Sequence, residues 1–158
     1  MPSGASSKKI QQVIAFDFGE KRIGVACGQC ITGGASALPP MKARDGIPDW
    51  QVIERTLADW QPDLVIVGLP LNMDGSESAM SQRARKFANR IHGRFGVPVA
   101  MHDERLTSFE AKGYVMDAGG SRDFGKNSVD GLAAVLLFES WFSEHEQTRR
   151  QQTQPQKG

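Results

Sequence analysis

The stretch "VIAFDFGEKRIGVACG", residues Val13 to Gly28, decides the fold of this chain. It opens with four apolar residues without a break, which is typical of a strand covered on both faces. Asp17 closes that run, "GEK" follows as a short turn, and "RIGVACG" predicts a second strand. The spacing therefore predicts a hairpin that holds a carboxylate at the end of a buried strand.

Beyond the hairpin, the sequence alternates between strand and helix patterns. "GGASALPPMKA" predicts an edge strand that Pro39 and Pro40 stop. "DWQVIERTLADW" is amphipathic, with Asp49 as its predicted N-cap, and "DLVIVGLP" predicts a parallel strand covered on both faces. A helix is expected from about Ser78 to Phe95, and the short strand "VPVAMHDE" follows it.

Two more helices complete the pattern. Thr107 and Glu110 form a predicted capping box at the start of "TSFEAKGYVMDAGG", and the last helix is expected from about Ser128 to Glu144. This order predicts an α/β layer fold with a mixed sheet. In such sheets, functional sites gather at the carboxyl ends of strands.

Length and composition predict one domain between two polar tails. The chain has 158 residues, which suits a single domain at 13–144, and the segments 1–12 and 145–158 are expected to be disordered. There is neither a secretory signal nor an apolar run of about 18 residues, so a cytoplasmic location is expected. Nineteen Lys and Arg against eighteen Asp and Glu give a net charge of +1, so the net charge does not identify the class of partner.

Three acidic residues occupy comparable positions in the predicted elements. Asp17 and Glu104 each end a strand, and Asp130 lies in the first turn of the last helix. Each alone is compatible with an ordinary turn, surface or helix-dipole role. If these three carboxylates lie close together, their negative charges repel one another, and a bound cation would relieve that repulsion. Carboxylate oxygens are suitable ligands for Mg²⁺ or Mn²⁺. Asp103 is a weaker candidate, because strand alternation points it to the face opposite Glu104.

Four blocks of the sequence closely resemble, in the same order, the motifs of the YqgF family. They are "FDFGEKRIGVA", "VGLPLNMDGS", "DERLTS" and "VDGLAAVLL". The family consists of bacterial ribonuclease H-like proteins, similar to Holliday-junction resolvases and described as nucleases for the 5′ end of precursor 16S rRNA. The resemblance implies a three-layer fold with a mixed central sheet flanked by helices. It also matches Asp17, Glu104 and Asp130 to the family's acidic triad, whereas Gly131 departs from the Ser or Ala of many relatives.

A basic helix is the main candidate for contact with nucleic acid. The segment from Ser78 to His102 has no Asp or Glu, and its basic residues fall largely on one helical stripe, which suits a phosphate backbone. An ordinary solvated face is the alternative. The stripe consists of Arg83, Lys86, Arg90 and Arg94. Further candidate contacts are Lys21, Arg22, Asn72, Ser76 and Arg105.

These features together predict a metal-dependent endonuclease or exonuclease. Two Mg²⁺ or Mn²⁺ ions about 4 Å apart would activate water and stabilise the leaving oxygen of a phosphodiester. The resemblance suggests structured precursor rRNA as the substrate, and branched DNA is the alternative. Two other classes stay open: a non-catalytic rRNA-binding protein, and an ATP-binding protein of the actin and sugar-kinase type, for which the core is short.

Overall fold

The computed structural model of this chain describes residues 10–103 and 124–153, with side chains for 10–103 and 131–148. Six strands lie in the described part: β1 Gln12–Asp17, β2 Arg22–Gln29, β3 Gly34–Arg44, β4 Ile47–Pro48, β5 Leu64–Leu69 and β6 Val99–Asp103. The described helices are α1 Trp50–Trp60, α2 Ala79–Phe95 and α3 Phe124–Thr153. None of them is long and apolar enough to span a membrane.

The six described strands form one mixed sheet in the order β4-β3-β2-β1-β5-β6. β1, β2 and β3 are a meander of antiparallel neighbours, which confirms the predicted hairpin around the turn after Asp17. β5 pairs with β1 in parallel, and β6 pairs with β5 in parallel. The carboxyl ends of β1, β5 and β6 therefore lie at one edge of the sheet.

Helices cover both faces of the sheet. Ile14 and Phe16 of β1 point to the side of α1 and α2, which we call the α2 face. Val13 and Ala15 point the other way and pack with Leu137 and Phe138 of α3, on the α3 face. This arrangement confirms the three-layer α/β fold, and it explains why β1 and β5 are apolar at nearly every position.

One predicted boundary is wrong: β3 does not stop at Pro39 and Pro40. The strand runs through both prolines to Arg44, and its pairing with β2 shifts register between Ile23 and Val25, opposite them. A bulge at this point removes the need for the ladder hydrogen bonds that proline cannot donate. The strand therefore continues beyond the prolines and pairs with β4 through Ala43 and Arg44.

The helix ends agree with the predictions for α1 and α2 and differ for α3. Asp49 caps α1 by accepting a hydrogen bond from the Gln51 N–H at 3.0 Å, and Ser78 caps α2. α3 begins at Phe124 and ends at Thr153, so it extends beyond the predicted Ser128 and Glu144. It continues into the segment expected to be a tail, because Gln and Arg favour helix and no Gly or Pro precedes Pro155 there. The predicted helix "TSFEAKGYVMDAGG" lies outside the described residues.

Candidate functional site

Asp17 lies at the carboxyl end of β1, in the middle of the sheet. Its Cα partner on β2 is Gly24, and it follows Phe16, the partner of Val67 on the parallel strand β5. Strand alternation puts the Asp17 side chain on the α3 face, together with Ala15 and opposite Phe16. The sequence therefore folds so that a half-buried carboxylate is held by a central strand at the edge where three parallel strands end.

Small residues on β2 let α3 lie close to this strand. The β2 residues opposite Val13, Ala15 and Asp17 are Gly28, Ala26 and Gly24. A Cβ atom on Gly28 would lie 2.5 Å from ring carbons of Phe138, so α3 is in contact with the backbone of β2. The alternation of small residues in "GVACG" is thus the local sequence feature that forms a groove for α3.

The contacts of α3 also give its direction over the sheet. Phe142 lies against Gly33, before the start of β3, whereas Gly131 lies against Ala37, further along that strand. Ala37 is in register with Ala26 and, through it, with Ala15, two residues before Asp17. The N-terminal part of α3 therefore points towards the edge of the sheet that carries Asp17.

The structure describes one member of the predicted acidic triad completely. The backbone of Asp130 belongs to α3, one residue before Gly131, but its side chain lies outside the described residues. Glu104 and Arg105 also lie outside them. Within the described residues, no group of three or more His, Cys, Asp or Glu side chains is arranged to hold a metal ion. The triad and its metal therefore stay predictions, supported by the position of Asp17 and the direction of α3.

Asp103 and His102, at the end of β6, point to opposite faces. His102 is paired with Gly68 of β5, is buried on the α3 face, and shares a hydrogen bond of 2.8 Å with Ser140 of α3 through its Nε2 atom. Asp103 follows Met101 in the alternation and lies on the α2 face. The strand that leads to Glu104 is thus fixed against α3, and Asp103 points away from the face of Asp17.

Basic residues flank Asp17 on the same face. Arg22 precedes Gly24 by two positions on β2, and its Cα partner on β3 is Lys42. Lys42 is exposed, and it lies on the α3 face because Met41 and Ala43 pack into the opposite core. Lys42 was not among the predicted contacts, since the prolines were expected to end β3. A strand continued through them would have placed Lys42 beside Arg22. Lys21, also predicted, is exposed in the turn.

The loop between β5 and α2 brings Asn72 and Ser76 together. The Asn72 Nδ2 group donates to the Ser76 Oγ atom at 3.0 Å, and that hydroxyl donates to Asp74 at 2.6 Å. At the helix start, the Ser78 hydroxyl accepts from the Ser81 N–H at 3.3 Å, and the Ser81 hydroxyl accepts from the Ser78 N–H at 2.9 Å. This part of the helix N-terminus is thus capped by the chain's own hydroxyls.

The predicted basic stripe is exposed along α2, but two arginines of this helix have acidic partners from outside it. Arg83 is paired with Glu20 of the β1–β2 turn at 2.5 Å, and Arg85, beside the stripe, is paired with Glu77 at 2.5 Å. The hydrogen bond that Arg85 donates to the Glu77 carboxylate raises the pKa of Arg85. No ion pair of Lys86 or Arg90 lies within the described part of the chain. Arg94 lies over the Trp50 ring, 4.4 Å from its centroid.

The two cysteines of "CGQC" are free thiols in different surroundings. Cys27 is buried in β2 on the α2 face, and this burial raises the pKa of its thiol. Cys30 is half-buried in the turn after β2. A buried thiol with a raised pKa is a poor nucleophile at neutral pH, so Cys27 has the character of a packing residue.

The sequence of this chain is similar to a known family over most of its length. A family model described as "RuvX: Holliday junction resolvase" matches residues 11–144. A protein of Yersinia enterocolitica named "Putative pre-16S rRNA nuclease" is 59% identical over 132 residues, which cover 84% of this chain and 94% of that protein. A protein of Marinobacter nauticus with the same name is 62% identical over 134 residues, covering 85% and 94% of the two chains.

Solved structures of resolvases have a similar fold. Thermus thermophilus RuvC in complex with a Holliday junction substrate aligns with a TM-score of 0.53 at 18% identity, covering 87% of this chain and 97% of that one. The fowlpox virus resolvase in complex with Holliday junction DNA aligns with a TM-score of 0.54 at 15% identity, covering 85% and 99%. Identities this low show the fold alone. The fold agrees with the ribonuclease H-like architecture predicted from the motifs.

Proposed function

We propose, from the premise that this chain belongs to the RuvX Holliday junction resolvase family, that it is a nuclease that hydrolyses phosphodiester bonds in nucleic acid. The observation that carries the proposal is the position of Asp17. It lies on the α3 face at the carboxyl end of the central strand, and the N-terminal part of α3 points towards it. Two relatives about 60% identical carry names that specify pre-16S rRNA, so 5′-end processing of this precursor in the cytoplasm is the proposed role.

We further propose that Asp17, Glu104 and Asp130 hold Mg²⁺ or Mn²⁺. The donor set fits such an ion, since carboxylate oxygens are hard ligands and Asp17 is anchored by a rigid strand. When bound, the metal supplies an activated water molecule and stabilises charge on the leaving oxygen. The chain's own contribution is to orient these carboxylates. His102 supports this by fixing the end of β6, two residues before Glu104, against Ser140.

The basic residues around Asp17 are proposed to hold the phosphates of the substrate. Arg22 and Lys42 lie on the α3 face beside the carboxylate, and Lys21 lies in the adjoining turn. Asn72, Ser76, Arg105 and the α2 stripe are further proposed contacts. Phosphate contacts fix the position and register of a strand without reading its sequence.

A Holliday-junction resolvase activity is the second candidate function. It is favoured by the fold, since two solved structures with TM-scores above 0.5 are resolvases bound to junction DNA. The same carboxylates and the same basic residues would serve both substrates. The two candidates therefore differ only in which nucleic acid the purified chain cleaves.

The test is a cleavage assay on both substrates. The full chain is incubated with a precursor 16S rRNA fragment or a four-way DNA junction, in Mg²⁺ or in Mn²⁺. We expect cleavage of the precursor RNA, and a loss of at least about 100-fold in the Asp17→Asn and Asp130→Asn variants, since a lost ligand removes several kcal/mol of transition-state stabilisation. Calorimetric titration with Mn²⁺ gives a second readout, in which both variants bind the ion more weakly.

Matched controls make the same chemical change elsewhere. Asp59→Asn alters an exposed acid on α1, and Asp103→Asn alters the acid on the opposite face of β6. Both are expected to cleave like the wild type. Equal cleavage by the wild type and the Asp17 and Asp130 variants would refute the triad. RNA binding without cleavage in any form would instead support a non-catalytic rRNA-binding protein.

A further inference from the structure

A cleft with an aromatic floor and a basic rim lies on the α2 face of the sheet, the face opposite Asp17. Its volume is about 180 Å³, and it is bounded by α2, by Trp50 and by the turn between β3 and β4. The floor consists of the rings of Phe18, Trp50 and Phe87, and the rim carries Arg83, Lys86 and Arg90.

The aromatic floor is a fixed cluster. The Phe87 ring has its centroid 5.2 Å from that of Phe18 and 6.1 Å from that of Trp50, with the Trp50 ring nearly parallel to it. The turn between β3 and β4 packs tightly against Phe18, since a Cβ atom on Gly46 would lie 2.9 Å from the Phe18 ring. The Gly46 N–H donates to the Glu20 carbonyl at 2.9 Å, which ties this wall to the β1–β2 turn. The cleft is therefore preformed.

The rim of the cleft is positively charged. Lys86 and Arg90 are exposed one helical turn apart and have no ion-pair partner in the described part of the chain. Arg83 is paired with Glu20. Asp45 is the acidic residue in the lining of the cleft. Ile47, also in the lining, is an exposed large apolar residue with 53% of its surface accessible. The combination favours a ligand that joins an apolar flat group to anionic groups.

The size of the cleft limits the ligand to one such group. A volume of about 180 Å³ is below the roughly 300 Å³ at which pockets for drug-sized ligands begin. A single ring system fits this range. Proteins that bind single strands combine aromatic side chains for the bases with basic residues for the backbone, as this cleft does.

We propose that the cleft takes one unpaired nucleotide of a bound strand, with its base against the aromatic floor and its phosphates on Lys86 and Arg90. This inference rests on the proposed nucleic-acid function and deepens it. Trp50 is half-buried, with Arg94 over its ring, so the base would contact the part of Trp50 that these contacts leave accessible, and it would cover Ile47. The Asp45 carboxylate is available to accept a hydrogen bond from a base amino group. The cleft would thereby select substrates that have a single-stranded segment on the side of the sheet away from Asp17.

The test measures binding without cleavage. The full chain carrying Asp17→Asn is titrated into three fluorescently labelled probes: a ten-nucleotide single strand, an abasic strand with the same number of phosphates, and a duplex of the same sequence. The strands are made both as RNA and as DNA. We expect the protein to bind the strand with bases, as RNA or as DNA, about five- to 140-fold more tightly than the abasic strand. This is the range that stacking of one base gives.

Two variants locate the preference in the cleft. Trp50→Leu removes part of the floor and is expected to abolish the preference for bases. Ile47→Ser alters an exposed residue and leaves the core intact. It is expected to weaken binding of the strand with bases at least about threefold, since a buried methylene contributes roughly a fourfold factor, and to leave abasic binding unchanged. The matched control is Ile31→Ser, since Ile31 is 86% exposed and lies outside the lining.

The outcomes separate this proposal from the proposed function. If the protein binds strands with and without bases equally, and Ile47→Ser has no effect on either, the cleft does not take a nucleotide. The nuclease proposal would survive that result. If the protein binds none of the probes at low salt, the cleft proposal fails, and the cleavage assay on the precursor RNA and the four-way junction decides the nuclease proposal separately. Loss of binding in Ile31→Ser equal to that in Ile47→Ser would also overturn the assignment to the cleft.

Discussion

The closeness of α3 to the sheet depends on single residues of β2. Gly24, Ala26 and Gly28 present almost no side chain to the α3 face, so Phe138 contacts the strand at the level of its backbone. The same alternation is readable in "GVACG". This segment alone does not identify the helix that packs against it, because Phe138 lies more than a hundred positions further along the chain.

A methyl group at Gly28 is expected to destabilise the protein. In Gly28→Ala the new Cβ atom would lie 2.5 Å from the Phe138 ring, and such overpacking typically costs about 1–3 kcal/mol. Gly93→Ala is the matched control, since Gly93 lies within α2 and a Cβ atom there meets nothing within 4 Å. It is expected to stabilise the helix by up to about 1 kcal/mol. Urea unfolding of both variants measures the two effects, and equal shifts would contradict this account of the groove.

The residues around Asp17 show what a sequence can and cannot reveal about a site. Asp17 was predictable because an acid at the end of a four-residue apolar run is unusual. Lys42 was not predictable in the same way, because proline lacks the N–H group that pairs in a sheet, and β3 was therefore expected to end before Lys42. The structure places those prolines at a register shift, where the missing N–H groups are tolerated, and the alternation then continues with Lys42 on the face of Asp17.

At the scale of elements, both ends of α2 were predictable from the sequence. Its start at the Ser78 cap follows from local sequence, and so does its end at Gly96, which has a φ of 73° in the left-handed region. The exposed basic stripe follows from its periodicity. The ion pair of Arg83 does not, because Glu20 comes from the β1–β2 turn and only the folded sheet brings the two together.

The contact between α3 and β3 makes a testable pair. A Cβ atom at Gly131 would lie 3.0 Å from the Ala37 Cβ atom, which is closer than ordinary packing allows. Gly131→Ala gains helix propensity but crowds Ala37, whereas in an Ala37→Gly background the crowding is absent. We expect Gly131→Ala to be more favourable in that background by about 1 kcal/mol. A double-mutant cycle measured by urea unfolding gives the coupling, and additive effects would contradict the contact.

For the whole molecule, alternating strand and helix patterns were enough to predict an α/β layer fold with a mixed sheet, and the resemblance of four motifs to a known family implied its three layers. The order of the strands was not predictable in the same way. That β1 lies between β2 and β5 depends on which pairings bury the most apolar surface, and periodicity carries no information about pairing. The positions of Glu104 and Asp130 relative to Asp17 stay predictions for the same reason: they depend on how distant segments meet.

A nearly neutral chain should bind nucleic acid through local charge. The net charge is +1, so the salt dependence of binding reports the few cations that contact phosphates. Removing Lys86 and Arg90 together is expected to reduce the slope of log K against log salt by about 1.4 for a single strand, or about 0.7 per phosphate contact. Arg55→Ala, on the exposed side of α1, is the control and should leave the slope unchanged. Unchanged slopes in both would remove the stripe from the interface.

The cover of the α3 face has a consequence for biosynthesis. All six described strands precede α3 in the chain, yet Val13, Ala15, Leu64 and Ile66 are covered by that helix. Because a protein emerges from the ribosome N-terminus first, the strands leave the exit tunnel before α3, and the apolar α3 face of the sheet is then exposed to solvent. Nascent chains stalled before α3 are expected to recruit chaperones. Asp130 is translated as part of the helix that ends this exposure, so the proposed enzyme would become active only after that helix has left the ribosome.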